Sequence, residues 1–174
     1  MDILEKLEDL LYCSKLEKIK TDPKYIKYIN NPSEEMQLEA VKRDGYSIGY
    51  INNPSEEVQL EAVRQQGNSI CFITNPSIEI QKEAIKNSPE YAIFHITDPT
   101  EEIKLEAIKT NPHVIINIIQ NNFKKFNINE EFIMKAIDIS GYDFNLITDL
   151  DLSKLSGENL ETIYNNIIIK DIIE

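Results

Sequence analysis

The 174-residue chain has no tryptophan, two cysteines, five glycines and only 18 Lys and Arg residues against 30 Asp and Glu residues. Cys13 and Cys71 lie in helical patterns without a C-x-x-C pair, so we expect reduced, partly buried thiols and no disulfide framework. The net charge of −12 argues against direct binding of DNA or RNA, because phosphate contacts need clustered cations. It argues equally against an anionic membrane surface.

Long apolar runs and targeting signals are also missing. The segment Met1–Lys6 has no basic region followed by an apolar run, which a secretory signal requires. The run Ile167–Ile169 is far too short to cross a bilayer. We therefore expect a cytoplasmic protein, in a bacterial or host cytosol, that does not contact a membrane.

Internal repetition dominates the sequence. A segment that starts with Asn-Pro or Asp-Pro and ends with Ala-Val or Ala-Ile occurs four times at intervals of 22 or 23 residues: 31–41, 53–63, 75–85 and 98–108. A fifth copy without the proline starts at Asn127, after an insertion at 121–126, and a degenerate copy covers 16–29. A period in this range is typical of a solenoid, in which each unit buries its apolar face against its neighbours.

Each repeat predicts one long helix followed by one short helix. The pattern places Asn or Asp at the N-cap and proline at the first helical position, with Glu34, Glu56 or Glu101 three residues after the cap. Gly45 and Gly67 are expected to end the long helix in a left-handed conformation. We thus predict an all-α solenoid of about six 22-residue, two-helix repeats with capping helices at both ends.

The predicted core consists of columns that recur once per repeat. An alanine column marks the expected close approach of the long helices: Ala40, Ala62, Ala84, Ala107 and Ala136. Two apolar columns line the short helices: Ile26, Ile48, Ile70, Ile93, Ile116 and Phe144, and Ile29, Ile51, Ile73, Ile96, Ile119 and Ile147. Gln37, Gln59 and Gln81 form a polar column, interpreted either as a ladder bonded between repeats or as rim residues in water.

Two further columns are candidate partner-binding surfaces. The acidic ridge is a double column on the long helices: Glu35, Glu39, Glu57, Glu61, Glu79, Glu83, Glu102 and Glu106. It would suit a line of Lys and Arg, although glutamate is also an ordinary solvent-facing helix residue. The aromatic column runs along the short helices: Tyr28, Tyr50, Phe72 and His95. It would suit a peptide if exposed, whereas such stripes often pack in the core, and we expect mixed burial.

Motifs for catalysis and metal binding are weak. The segment Gly45–Gly49 matches G-x-S-x-G, but that motif needs a preceding strand, whereas here it lies between two helices. The segment starting at Asp149 lacks the glycine and the glutamate of a calcium loop. His95 and His113 have no ligands at zinc-site spacing. We expect no enzyme activity, no catalytic residue, no metal and no cofactor.

The string Asn-Pro-Ser-Glu-Glu-x-Gln-Leu-Glu-Ala-Val at 31–41 and 53–63, followed by a Gly-Tyr-Ser-Ile type of helix, resembles a known tandem repeat. That short two-helix repeat occurs in bacterial, phage and giant-virus proteins, mostly of unknown function, and is similar to HEAT and armadillo repeats. The resemblance covers about residues 14–147. It implies a right-handed solenoid that serves as a binding scaffold, and it transfers no catalytic residues.

We expect one domain, 1–174, with a cap and degenerate repeat at 1–20, core repeats at 21–120, the insertion and last repeat at 121–147, and a cap at 148–174. The C-terminal cap has a predicted buried stripe: Leu160, Ile163, Tyr164, Ile167 and Ile168. Ile169, Ile172 and Ile173 widen this apolar surface, which could bury against the last repeat or form a homodimer contact.

The expected function is that of a non-enzymatic protein-binding scaffold whose partner has a basic face. A narrower hypothesis is a small acidic inhibitor of a nucleic-acid-handling bacterial defence complex, carried by a phage. The alternative is a structural or self-associating helical-repeat protein.

Overall fold

The computed structural model describes residues 3–121, 126, 128–150, 152–153 and 155–173, and every regular element in these ranges is a helix. The α-helices are α1 Ile3–Thr21, α2 Glu34–Arg43, α3 Glu56–Gln65, α4 Ile78–Asn87, α5 Pro89–His95, α6 Glu101–Thr110, α7 Val114–Asn121, α8 Glu130–Ile139, α9 Phe144–Thr148 and α10 Gly157–Ile173. Three 3-10 helices are η1 Pro23–Tyr28, η2 Gly45–Tyr50 and η3 Gly67–Phe72. None of the helices in this part of the chain is both long and apolar enough to cross a membrane.

The chain divides into two compact units, Met1–Ile96 and Thr97–Glu174, and each is described by itself. The boundary falls inside the segment 21–120 that we predicted as core repeats. The expectation of one domain over 1–174 stays a prediction.

The long helices begin two residues later than the sequence indicated. Ser33 is the N-cap of α2, and its Oγ accepts a hydrogen bond from the Met36 N–H at 3.4 Å. Asn31, which we predicted as the cap, has φ of 50°, a left-handed conformation that asparagine tolerates. The same arrangement recurs at the caps of α3, α4 and α6: Ser55, Ser77 and Thr100. The prediction of Asn or Asp caps was wrong because a serine hydroxyl two residues on reaches the first turn instead.

The glycines that follow the long helices have a different role from the predicted one. Gly45 and Gly67 open η2 and η3, and neither has the positive φ that we expected of a left-handed helix end. A Cβ at Gly45 would lie 2.5 Å from the Ala62 carbonyl oxygen, and one at Gly67 would lie 2.8 Å from the Ala84 oxygen. Glycine is therefore needed here because the next long helix approaches the backbone closely.

The core of the first unit follows the predicted columns. The helices α1, α2, α3 and α4 contact one another in chain order, and so do η1, η2, η3 and α5. The alanine column is fully buried at Ala40, Ala62 and Ala84. Both isoleucine columns are buried throughout this unit: Ile26, Ile48, Ile70 and Ile93, and Ile29, Ile51, Ile73 and Ile96. Each short helix thus buries one isoleucine in its middle and a second just after its end.

The second unit keeps the alanine column and alters the rest. Within it α6, α7 and α8 contact one another, and Ala107 and Ala136 are fully buried. Ile115 is buried where we predicted its neighbour Ile116, which is half-buried, so the apolar face of α7 is shifted by one residue. The inserted segment places Phe126 in the core, whereas 122–125 lie outside the described residues.

A buried lysine replaces the glutamine of the earlier repeats. Lys104 on α6 donates a hydrogen bond from Nζ to the Phe126 carbonyl oxygen at 2.6 Å. The same Nζ lies 5.4 Å from the centroid of the Phe132 ring. Loss of hydration on burial lowers the pKa of Lys104, opposed by the nearby charges of Glu101 and Asp98.

The C-terminal helix α10 is less buried than its apolar pattern indicated. Ile163 is buried and Ile167 half-buried, but Leu160, Tyr164 and Ile168 are exposed. The predicted five-residue buried stripe is therefore wrong at three positions, because the helix packs through a narrower face than its composition would allow. The side chains of Ile169, Ile172 and Ile173 lie outside the described residues.

Both cysteines are free thiols, as expected, but they are exposed rather than partly buried. Partial desolvation raises the pKa of the Cys71 thiol, which favours the protonated form.

Candidate protein-binding surface

The aromatic column lies on the surface. Tyr28, Tyr50 and Phe72 are 68%, 46% and 52% exposed, and His95 is exposed as well. Each is the last residue of its short helix, directly before the buried isoleucine that follows the helix. The packing of that isoleucine turns the preceding ring outward. The expectation of mixed burial was wrong, since all four side chains face water.

A lysine joins the first two rings of the column. The Nζ of Lys27 lies 4.8 Å from the centroid of the Tyr28 ring and 5.8 Å from that of Tyr50, which is cation–π distance. Tyr25 adds a third ring, with its centroid 5.8 Å from that of Tyr28. A hydrogen bond with Tyr28 raises the pKa of Lys27, so the lysine is charged at neutral pH.

Two hollows of the same construction lie beside the aromatic column. The first hollow has a volume of 570 Å³ and the second hollow 420 Å³. Residues that line the first hollow include Asn30, Gln37, Tyr50 and Asn52. Residues that line the second hollow include those at the equivalent positions one repeat later, Asn52, Gln59, Phe72 and Thr74. Asn52 is shared, so the two hollows form one continuous surface, each with an aromatic wall and amide side chains.

The glutamine column supports the loops around these hollows. The Nε2 of Gln37, Gln59 and Gln81 donates to the carbonyl oxygen of the proline five residues earlier, at 2.9 Å in each case. These bonds lie within a repeat, so the predicted ladder between repeats is wrong. The side chains are half-buried, and their bonds hold each Asn-Pro-Ser loop against the first turn of its own helix.

The predicted acidic ridge consists of two unlike columns. The inner column, Glu39, Glu61, Glu83 and Glu106, is ion-paired within each helix to a cation three or four residues on: Arg43, Arg64, Lys86 and Lys109. The outer column is exposed: Glu35, Glu57, Glu79 and Glu102. Glu35 also accepts a hydrogen bond from the Tyr12 hydroxyl, which raises the pKa of Tyr12. Half of the ridge is therefore neutralised locally, and the outer column carries most of the remaining negative field.

The serine of the G-x-S-x-G match has no catalytic geometry. Ser47 is fully buried, and its Oγ has no hydrogen-bond partner among the residues that the structure describes. A serine nucleophile needs an adjacent base and access to substrate, and Ser47 has neither.

Comparisons of this chain with protein-family models, with curated proteins and with solved structures found no match. The arguments about function therefore rest on the surface itself.

Sequence reasoning missed the polar residues of this surface. Lys27, Asn30 and Asn52 were not among the predicted site residues, although they lie next to the aromatic column. A signal was present: the dipeptide Asn-Asn precedes the proline at both Asn30 and Asn52. A repeated asparagine before a proline was interpreted only as a helix cap, and its second copy was not considered as part of a surface.

Proposed function

We propose that this protein is a non-enzymatic binding module that holds another protein on its aromatic column. The observation that carries the proposal is the row of exposed rings, Tyr28, Tyr50 and Phe72, on a tightly packed core. Soluble proteins rarely expose contiguous apolar surface without a use for it. Tyrosine and other large aromatic side chains are enriched among the residues that dominate binding energy at interfaces.

The proposed scaffold is a right-handed α-solenoid of about six two-helix repeats. Three features support it: chain-order contacts among α1 to α4, chain-order contacts among η1, η2, η3 and α5, and recurrence of the same buried columns every 22 residues in the first unit. A hydrogen bond from the Ser55 hydroxyl to Glu34 Oε1 links neighbouring repeats in the same sense. A solenoid presents equivalent side chains in a row, which is what an elongated partner requires.

The proposed partner is a protein with a basic face. The net charge of −12 and the exposed outer acidic column favour such a partner by electrostatic attraction. The narrower hypothesis of an acidic inhibitor of a nucleic-acid-handling defence complex rests on this charge alone. The outer column is the part of the ridge on which it depends, since cations within each helix neutralise the inner column.

A comparative pull-down tests the proposed function. Wild type, the double variant Tyr50→Ala/Phe72→Ala and the control Tyr91→Ala would be used as baits in a bacterial lysate, with partners identified by mass spectrometry. Tyr91 is 60% exposed and lies outside the aromatic column, so it matches the loss of an exposed ring. We expect one partner to be retained by wild type and by Tyr91→Ala, and lost with the double variant. A partner retained equally by all three would refute the assigned surface.

The acidic contribution is tested separately with the same partner. Charge reversal of Glu57 and Glu79, both exposed in the outer column, should weaken binding and reduce its sensitivity to salt. Charge reversal of Glu61 and Glu83 in the inner column is the matched comparison, and we expect a smaller effect there. Equal effects from the two pairs would contradict the distinction between the columns.

Self-association is the second candidate function, and the first half of α1 favours it. Five large apolar side chains of this helix are 56% to 74% exposed: Ile3, Leu4, Leu7, Leu10 and Leu11. Residues 3–10 carry three acids and one lysine, whereas residues 11–21 carry three lysines and one acid. Two copies of α1 packed antiparallel would therefore bring opposite charges together along an apolar seam. This surface is distinct from the C-terminal helix that the sequence indicated.

Light scattering after size exclusion decides between these candidates. Wild type at increasing concentration would be compared with Leu7→Glu/Leu10→Glu, which places charges in the seam. Self-association predicts a concentration-dependent dimer that this variant abolishes. A wild type that stays monomeric at all concentrations would remove this candidate.

A further inference from the structure

We infer that the segment bound on the aromatic column is a proline-rich stretch of the partner in the polyproline II conformation, lying across the first and second hollows. This inference rests on the proposed function and adds the conformation and composition of the bound segment. The two hollows have the same construction one repeat apart, so an occupant must present equivalent groups at the repeat spacing.

The repeat spacing selects the conformation of the occupant. Neighbouring long helices α2, α3 and α4 are in direct contact, and packed helices lie about 8–10 Å apart. A polyproline II helix advances about 9.3 Å in three residues and returns every third side chain to the same face. A β-strand returns side chains to one face about every 6.6 Å, which does not fit this spacing. Polyproline II therefore places one residue in each hollow with two residues between.

The amide side chains exclude an α-helical occupant. Asn30 and Asn52 are exposed, and their side chains stand beside the rings of Tyr50 and Phe72. An α-helix has already satisfied its backbone groups, so these amides would gain little from it. The carbonyl groups of a polyproline II segment have no internal partners and can accept from the asparagine NH₂ groups. Rings and amides thus address the side chains and the backbone of the same segment.

The charge of the hollows selects proline over charged residues. Lys27 is the one charged residue among those that line the two hollows. Uncharged rings stack on tyrosine and phenylalanine without a desolvation cost for charge, and proline loses little conformational freedom on binding. The seven prolines of this chain are never three residues apart, so the chain does not supply the segment to another copy of itself.

The test uses fluorescein-labelled decaproline, which forms polyproline II in water, and measures its binding by fluorescence anisotropy. A glycine–serine peptide of equal length is the flexible control, and unlabelled decathymidylate competes for stacking on the rings. The protein variants are Tyr50→Ala, Phe72→Ala, Asn52→Ala and the control Tyr91→Ala. Thermal unfolding of each variant shows whether it keeps the wild-type fold.

We expect saturable binding of decaproline to wild type and to Tyr91→Ala. Affinity should fall about tenfold or more in Tyr50→Ala and Phe72→Ala, because truncation of a central aromatic contact has that effect. It should fall about two- to tenfold in Asn52→Ala, which removes the shared amide of the two hollows. The glycine–serine peptide should not bind.

Three results would overturn the inference: no binding of decaproline at millimolar concentration, binding that Tyr50→Ala and Phe72→Ala leave intact, or displacement by decathymidylate. The pull-down in the previous section keeps the two proposals apart. A partner lost with Tyr50→Ala/Phe72→Ala while decaproline fails to bind would leave the proposed function standing and remove only the polyproline II segment.

Discussion

Replacement of Gly45 by alanine should destabilise the first unit. The new Cβ would lie 2.5 Å from the Ala62 carbonyl oxygen, 2.7 Å from Ser69 Oγ and 3.0 Å from Gln65 Oε1. The Gln65 side chain can move, but the Ala62 oxygen belongs to the backbone of α3, so η2 and α3 must separate. Overpacking of this kind costs about 1–3 kcal/mol. The lower entropy of the unfolded chain offsets about 0.4–1 kcal/mol of that cost.

The expected net loss of about 1–2 kcal/mol corresponds to a fall in Tm of about 2–8 °C for a chain of this size. Urea unfolding followed by circular dichroism measures the free energy, and hydrogen exchange at α2 and α3 assigns the loss to this contact. Gly157→Ala is the control, because a Cβ at Gly157 meets nothing within 4 Å. That variant should be as stable as wild type or slightly more stable. A Gly45→Ala protein with unchanged stability would refute the close-approach explanation.

Three further predictions concern caps, packing and pH. Ser77→Ala removes the acceptor of the Ile80 N–H and should cost about 1 kcal/mol in urea unfolding, whereas the control Ser14→Ala on exposed α1 should cost nothing. Ala62→Leu, at a fully buried position, should cost about 1–3 kcal/mol, and an unchanged Tm would contradict close helix approach. For Lys104, whose folded pKa is lowered from 10.5 by burial, the unfolded chain binds the proton more tightly, so wild type should gain stability relative to Lys104→Met as pH rises towards 10.5. A difference that does not change with pH would contradict this.

The core was predictable because burial repeats with the sequence. The alanine column and the isoleucine columns of the first unit recur every 22 or 23 residues, and the structure buries them as expected. Apolar periodicity carries this information without any knowledge of the tertiary arrangement. It fails at Ile116, where the second unit buries Ile115 instead, because an insertion alters what packs against α7.

The helix starts show why local patterns are ambiguous. Asn31 and Ser33 are both good N-cap residues, and the proline between them is compatible with either assignment. The left-handed conformation of Asn31 decides in favour of Ser33, and backbone conformation cannot be read from residue type alone. Gly45 is a similar case, since a positive φ and a close backbone approach both require glycine.

The candidate site depended most on tertiary structure. Composition and periodicity alone determined an acidic, helical, repetitive protein with a buried aliphatic core, because these properties follow from residue counts and spacing. Whether Tyr28, Tyr50 and Phe72 face the core or water depends on which side of each short helix packs against its neighbour, and both choices share the same period. Only the packed structure decided this, because it places the isoleucine after each ring in the core and joins the rings, the amides and Lys27 on one surface.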